Sequence, residues 1–376
     1  MNVNNLLIIN IVKILPSLSL ILNTLIISLF LINSSLILAQ NNWQKFGSPV
    51  LNLGPPGSWD SAHVAYQYVL GDLGSYKMWY AGSGDGSHWR IGYATSQDGI
   101  NWDKNPTPVV DTVSQGFNSY GPTVLRKDGL YRMWYVSRNL YTSVPTINYT
   151  TSQDGISWET PITVISSEQA WENGVEDPNV IFTDGVYKIY YQANQDDKWK
   201  IGYATSADGV SWIKYANNPI FEPDPSETPT VGGPSVIFDG TKYIMFYHSN
   251  HPPRNIHYAT SVNGITEWSR SLNNPIFTST SGSFDNSMSV TPSVIAETNS
   301  YKLWYSGFDG SNWRIGYASA SADISPTQTP TPIPTPPSDS PTAPNNQSRR
   351  SPRFWGELES DGAPELWAYR RWRVDA

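Results

Sequence analysis

The segment Tyr76-Lys77-Met78-Trp79-Tyr80 decides the fold, because the chain carries it five times. It returns as Tyr131-Arg132-Met133-Trp134-Tyr135 and as Tyr187-Lys188-Ile189-Tyr190-Tyr191. It returns again as Tyr243-Ile244-Met245-Phe246-Tyr247 and Tyr301-Lys302-Leu303-Trp304-Tyr305. A second element follows each copy: Ile91 to Ser96, Ile147 to Ser152, Ile201 to Ser206, Ile256 to Ser261 and Ile315 to Ser319. Four copies then enter a turn and a Trp: Asp98-Gly99 with Trp102, Asp154-Gly155 with Trp158, Asp208-Gly209 with Trp212, and Asn263-Gly264 with Trp268. Asp-Gly and Asn-Gly between β-rich runs mark turns, because Gly accepts the positive φ required there. Each repeat, 54 to 59 residues long, therefore reads as strand, strand, strand, turn, strand. Four short antiparallel strands per repeat make a propeller blade.

The fifth repeat stops near Asp323 without its outer strand. Trp43-Gln44-Lys45 with Pro49-Val50-Leu51 matches Trp212-Ile213-Lys214 with Pro219-Ile220-Phe221. Residues 43–51 thus supply the missing strand and close the ring, which removes open sheet edges. The expected fold is an all-β, five-bladed β-propeller over residues 40–323, four antiparallel strands per blade, as a monomer.

Outside it the composition changes. Residues 14–39 carry no charge and are rich in Leu and Ile, ending Leu38-Ala39-Gln40. This segment (1–39) reads as an export signal cleaved near Ala39, or as an N-terminal anchor. Residues 324–344 form a Pro/Thr-rich linker. Residues 345–376 are an Arg- and Trp-rich tail expected to be disordered. The chain is expected outside the cell or on its surface, with membrane or cell-wall attachment possible through these ends.

The 376 residues carry a net charge of −8 with 13% aromatics. That argues against nucleic acid as a partner and against a disordered chain. Cysteine is absent, which excludes disulfides, thiol nucleophiles and Cys-ligated metals.

A residue found in every blade serves packing, and one that breaks the pattern is a functional candidate. At the inner strand the matching residues are Tyr66, Gly121, Asp177, Gly233 and Thr291. Blade three alone has a carboxylate there, doubled as Glu176-Asp177-Pro178. Adjacent strand residues project to opposite faces, so one of the two faces the channel. A carboxylate in an aromatic pocket has its pKa raised and can act as a general acid; the alternative is a cap on backbone amides. After the second strand stand Ala81, Val136, Gln192, His248 and Ser306, and on the third strand Gly92, Asn148, Gly202, His257 and Gly316. Gln192, Asn148, His248 and His257 are therefore candidate sugar contacts. In the entry loops, Trp59-Asp60 and Trp171-Glu172 offer aromatic platforms. Asp60, with Glu227 and Asp224, is a candidate second carboxylate.

The repeat pattern resembles the five-bladed propellers of the arabinanase, levansucrase and invertase superfamily, which includes glycoside hydrolase families 32, 43, 62, 68 and 130. Gly174-Val175-Glu176-Asp177-Pro178-Asn179 is similar to the Glu-Asp-Pro signature of family 130, mannoside phosphorylases and mannosidases. There the Asp supplies the catalytic proton, which implies that role for Asp177. The signature usually continues with Arg, where this chain has Asn179. Families 32 and 43 use acids from separate blades, which implies Asp60 as base and Asp177 as supporting acid. Some relatives hold an ion in the channel through a His, which keeps a channel metal ion as the alternative; no complete ligand set is visible here, so no cofactor or metal is expected. The resemblance implies a secreted glycosidase acting on a carbohydrate. The alternatives are a non-catalytic carbohydrate-binding or surface-display propeller, or an adhesion scaffold.

Overall fold

The computed structural model describes residues 43–321, apart from residues 73, 196, 197, 228, 250–253, 277 and 299. The chain divides into two units at Asp323 and Ile324, and every described residue belongs to the first. The expected signal or anchor, linker and tail lie outside the described residues.

Twenty strands form five four-stranded antiparallel sheets among the described residues. Blade one comprises β2 (His63–Asp72), β3 (Ser75–Ser83), β4 (Trp89–Ser96) and β5 (Asp103–Lys104). Blade two comprises β6 (Phe117–Lys127), β7 (Leu130–Asn139), β8 (Pro145–Ser152) and β9 (Ile162–Ile165). Blade three comprises β10 (Val175–Thr183), β11 (Val186–Gln195), β12 (Lys198–Ser206) and β13 (Ile213–Lys214). Blade four comprises β14 (Val231–Phe238), β15 (Tyr243–Ser249), β16 (Asn255–Ser261) and β17 (Ser269–Arg270). Blade five comprises β18 (Met288–Glu297), β19 (Ser300–Phe308) and β20 (Trp313–Ser321), and its outer strand is β1 (Gln44–Lys45). Gln44 pairs with Ser319 and Lys45 with Ala318. The five-bladed propeller closed by the N-terminal strand is the fold expected from the repeats.

The aromatic repeat is the glue between blades. Trp79, Trp134 and Trp304 are fully buried. Each indole Nε1–H donates at 2.8 Å to a turn glycine of the next blade: Trp79 to Gly155 O, Trp134 to Gly209 O, Trp304 to Gly99 O. The turns are set by their Asp side chains. Asp98 Oδ1 accepts the amides of Ile100 and Asn101, both at 2.8 Å. Asp154 and Asp208 repeat this arrangement. The core therefore lies between blades: Trp79, Ile91 and Tyr93 of blade one pack with Val124, Met133 and Tyr135 of blade two.

Candidate active site

Each inner strand breaks its ladder at the same place. The pairing skips two residues between Ala65 and Tyr68, Tyr120 and Thr123, Glu176 and Asn179, Gly232 and Ser235, and Val290 and Ser293. The first skipped residue of each pair has a positive φ: Tyr66 52°, Gly121 57°, Asp177 46°, Gly233 56° and Thr291 47°. The second is Pro in four blades, which has no N–H to leave unpaired. These bulges ring the axis and line an open cavity. The left-handed conformation recurs in all five blades and belongs to the scaffold; the carboxyl group at Asp177 does not recur.

Asp177 is buried, and neither carboxyl oxygen has a hydrogen-bond partner among the described residues. It lines the axial cavity. Its Oδ1 stands 3.1 Å from where a Cβ on Gly121 would be, so the glycine in blade two makes room for it. Burial pushes its pKa well above the usual carboxylate value, and the charge of Glu176 adds to this. Glu176 does not line the cavity. It is buried, pairs across the sheet with Gln192, and lies with Oε1 4.0 Å from Arg138 Nη1. Burial raises its pKa too, opposed by the Arg138 charge and by hydrogen bonds from Tyr120 and Gln192. Tyr66 packs edge-on to Trp89, centroids 5.9 Å apart, and against Tyr120 at 5.4 Å. Arg138, Tyr120 and Tyr66 were not among the sequence candidates. Arg138 stands where the other blades carry unlike residues, such as Ser83, Asn194 and Phe308, so the repeat gives it no contrast.

The structure does not bring Asp60 or Glu227 to this ring. Both belong to an arrangement built four times: an entry-loop acid, the last Tyr of the repeat, and a cation from the outer strand. Asp60 Oδ2 accepts from Tyr80 at 3.2 Å and Lys104 at 2.7 Å. Glu172 accepts from Tyr191 at 2.8 Å and Lys214 at 2.6 Å. Glu227 accepts from Tyr247 at 2.5 Å and Arg270 at 2.8 Å. Asp285 accepts from Tyr305 at 3.0 Å and Lys45 at 2.5 Å. Asp224 lies 3.6 Å from Arg270 beside Glu227. None of these acids lines the axial cavity, and their repetition gives the base role no geometric support.

The polar departures also have scaffold duties. Trp59 stacks on Tyr80 (5.8 Å) and Trp171 on Tyr191 (6.1 Å), as Phe284 does on Tyr305 (5.9 Å). The third-strand glycines admit these rings: a Cβ on Gly92 would stand 2.5 Å from Trp59 Cη2. Blade four has Ser226 in place of the loop aromatic, and His257, in place of the glycine, supplies the ring 5.5 Å from Tyr247. His257 Nε2 is also 2.9 Å from Ser249 Oγ. Asn148 Oδ1 accepts from Thr163 Oγ1 at 2.9 Å. Gln192 Oε1 accepts the Gly233 amide at 2.9 Å, His248 Nδ1 faces the Thr291 amide at 3.5 Å, and Ser306 Oγ accepts the Tyr66 amide at 2.9 Å. Burial lowers the His248 pKa to about 3, with the Arg254 and His257 charges adding to it, so its ring stays neutral. Ala81 and Val136 cannot make such a link, so the ring lacks it on the side of Gly121 and Asp177. Asn179 joins blades as well. Its Oδ1 accepts the Val236 amide at 2.9 Å, as Thr123, Ser235 and Ser293 accept those of Val180, Val294 and Val69. Among the described residues no three His, Asp or Glu are grouped to hold a metal ion.

The family model described as β-1,4-mannooligosaccharide phosphorylase, glycoside hydrolase family 130, matches residues 141–337, just over half of the chain. The chain belongs to this family. Two uncharacterized proteins of Mycobacterium tuberculosis, from strains CDC 1551 and H37Rv, are each 36% identical over 135 residues, 33% of this chain and 43% of theirs. The chain thus spans less than half the length of these relatives. Among solved structures, one titled as a glycoside hydrolase has a TM-score of 0.62 at 16% identity, covering 78% of this chain and 96% of its own. Another comes from work on family 130 hydrolases that target β-1,2 mannosidic linkages in Candida mannan. It has a TM-score of 0.60 at 20% identity, covering 75% and 95%. The α-L-arabinofuranosidase of Podospora anserina in complex with cellotriose has a TM-score of 0.59 at 13% identity, covering 76% and 99%. At such identities these likenesses show the fold alone.

Proposed function

We propose that the chain cleaves glycosidic bonds by hydrolysis, with Asp177 delivering the proton to the leaving oxygen. The observation that carries this reading is a buried carboxyl group without hydrogen-bond partners among the described residues, facing the axial cavity and unique to one blade of the ring. Held neutral by burial, such a group can donate at a pH where an ordinary Asp cannot. As the C–O bond breaks, the Asp177 proton passes to the leaving sugar. A water oxygen bonds to the anomeric carbon and loses a proton to a carboxylate or to a second water. With export, as residues 1–39 suggest, the substrate is an extracellular polysaccharide or oligosaccharide.

Phosphorolysis is the second reading. The family description favours it, and so do Arg138 beside Glu176 and Arg254, whose charge reaches His248. Asn179 weighs against it, since the position that carries the signature Arg is here used to join blades. The test is to incubate the full chain with β-mannan, arabinan, arabinoxylan and levan, with and without phosphate, beside Asp177→Asn. The expected result is reducing-sugar release without phosphate, lowered at least about a hundredfold in the variant. Sugar phosphate formed only when phosphate is present would select the second reading. Cleavage at the parental rate by Asp177→Asn would overturn the assignment of the acid. Binding without cleavage would leave a carbohydrate-binding module.

A further inference from the structure

Blade two departs from its neighbours at the connection between β7 and β8. In blades one, three and five the third strand carries a Trp opposite the end of the second: Ser83 pairs with Trp89, Asn194 with Trp199 and Phe308 with Trp313. In blade two Arg138 pairs with Pro145 instead. The aromatic residue stands four positions earlier, at Tyr141, and is 88% exposed.

The loop that presents it is braced. Asn139 Oδ1 accepts the amides of Tyr141 at 2.8 Å and Thr142 at 3.0 Å, and the Ser143 amide donates to Asn139 O at 2.9 Å. The Leu140 amide donates to Gly116 O at 2.9 Å, and the Tyr141 ring edge rests over Gly116. Arg138 Nε donates to Ser143 O at 3.1 Å while its guanidinium faces Glu176. Pro145 packs on Gly174, at the start of the segment that carries Glu176 and Asp177. Tyr141 lies three positions after Arg138, so their Cα atoms are at most about 11 Å apart.

We propose that residues 139–144 form an outer glycan-binding lip, with Tyr141 as the platform on which a sugar ring beyond the cleavage point stacks. A Tyr face offers apolar contact to the C–H face of a pyranose. It loses little conformational freedom on binding, because only two torsions are fixed and the backbone is already held. This rests on the glycan reading above and adds to it a preference for longer chains.

The test measures KM for β-linked mannose oligomers from disaccharide to hexasaccharide with the full chain, Tyr141→Ala and Tyr141→Phe. The expected result is a KM ratio, Tyr141→Ala over parent, that grows with chain length to about tenfold, with Tyr141→Phe following the parent. At 88% exposure the substitution leaves the core untouched. A ratio equal at every length overturns the lip, as does a change in oligomeric state on substitution, which would make the residue a contact between copies. If the parent neither cleaves nor binds any oligomer, the glycan reading fails and the lip with it. That outcome is visible in the parent alone.

Discussion

Asp177 carries a carboxyl group with no hydrogen-bond partner among the described residues and a second carboxyl group next to it in sequence. Its pKa is raised in the folded state, so between the unfolded value, about 3.9, and the folded value the native protein holds more protons than the unfolded chain. Stability then falls as pH rises through that interval. Asp177→Asn removes the titration. The variant should match the parent near pH 4 and exceed it at neutral pH by at least about 2 °C in Tm, the response of a domain of this size to about 1 kcal/mol. Thermal melts of both proteins from pH 4 to 8 check this; a difference that does not change with pH would show Asp177 to be ordinary. This residue was legible in the sequence because the repeats supplied five copies of its position. Arg138 was not, since the matching residues Ser83, Asn194, Asn250 and Phe308 form no common background to depart from, and only the fold shows it facing Glu176.

At the scale of the element, departure from the repeat proved to mean two things. A ring of five similar blades must fill the same volume between each pair, so a change in one strand is met by a change in another. His257 replaces a ring that the blade-four loop lacks, and Gln192, His248 and Ser306 make the same link to the next blade with different atoms. A sequence cannot separate such compensation from function, because the compensating partners are distant in the chain. The acid, Tyr and cation arrangement shows the converse, a feature whose repetition marks it as scaffold. Lys214 and Glu172 have side chains only 8% and 0% exposed. Lys214→Met leaves a buried carboxylate without its cation, and breaking a buried pair in this way costs about 3–5 kcal/mol. Urea denaturation should show that loss as a lower midpoint at unchanged slope. A loss below about 1 kcal/mol would class the pair with exposed ones.

For the whole molecule, the number of blades, their strand order and the closure by residues 43–51 followed from the sequence, since each rests on a pattern stated five times. The position of the proposed site did not. It lies on the side of the ring where Ala81 and Val136 leave the blade-to-blade link unmade, and that gap exists only once the ring is closed. Of the carboxylates weighed from the sequence, the architecture places Asp177 on the axis and Asp60 in the scaffold. The most direct test compares the rate per folded molecule for Asp177→Asn and Asp60→Asn on the glycan that the parent cleaves, with folding followed by circular dichroism. Asp177→Asn is expected to fold and lose at least about a hundredfold in rate, while Asp60→Asn loses stability but turns over normally in its folded fraction. Parental turnover by Asp177→Asn, or a folded and stable Asp60→Asn without activity, would contradict this expectation.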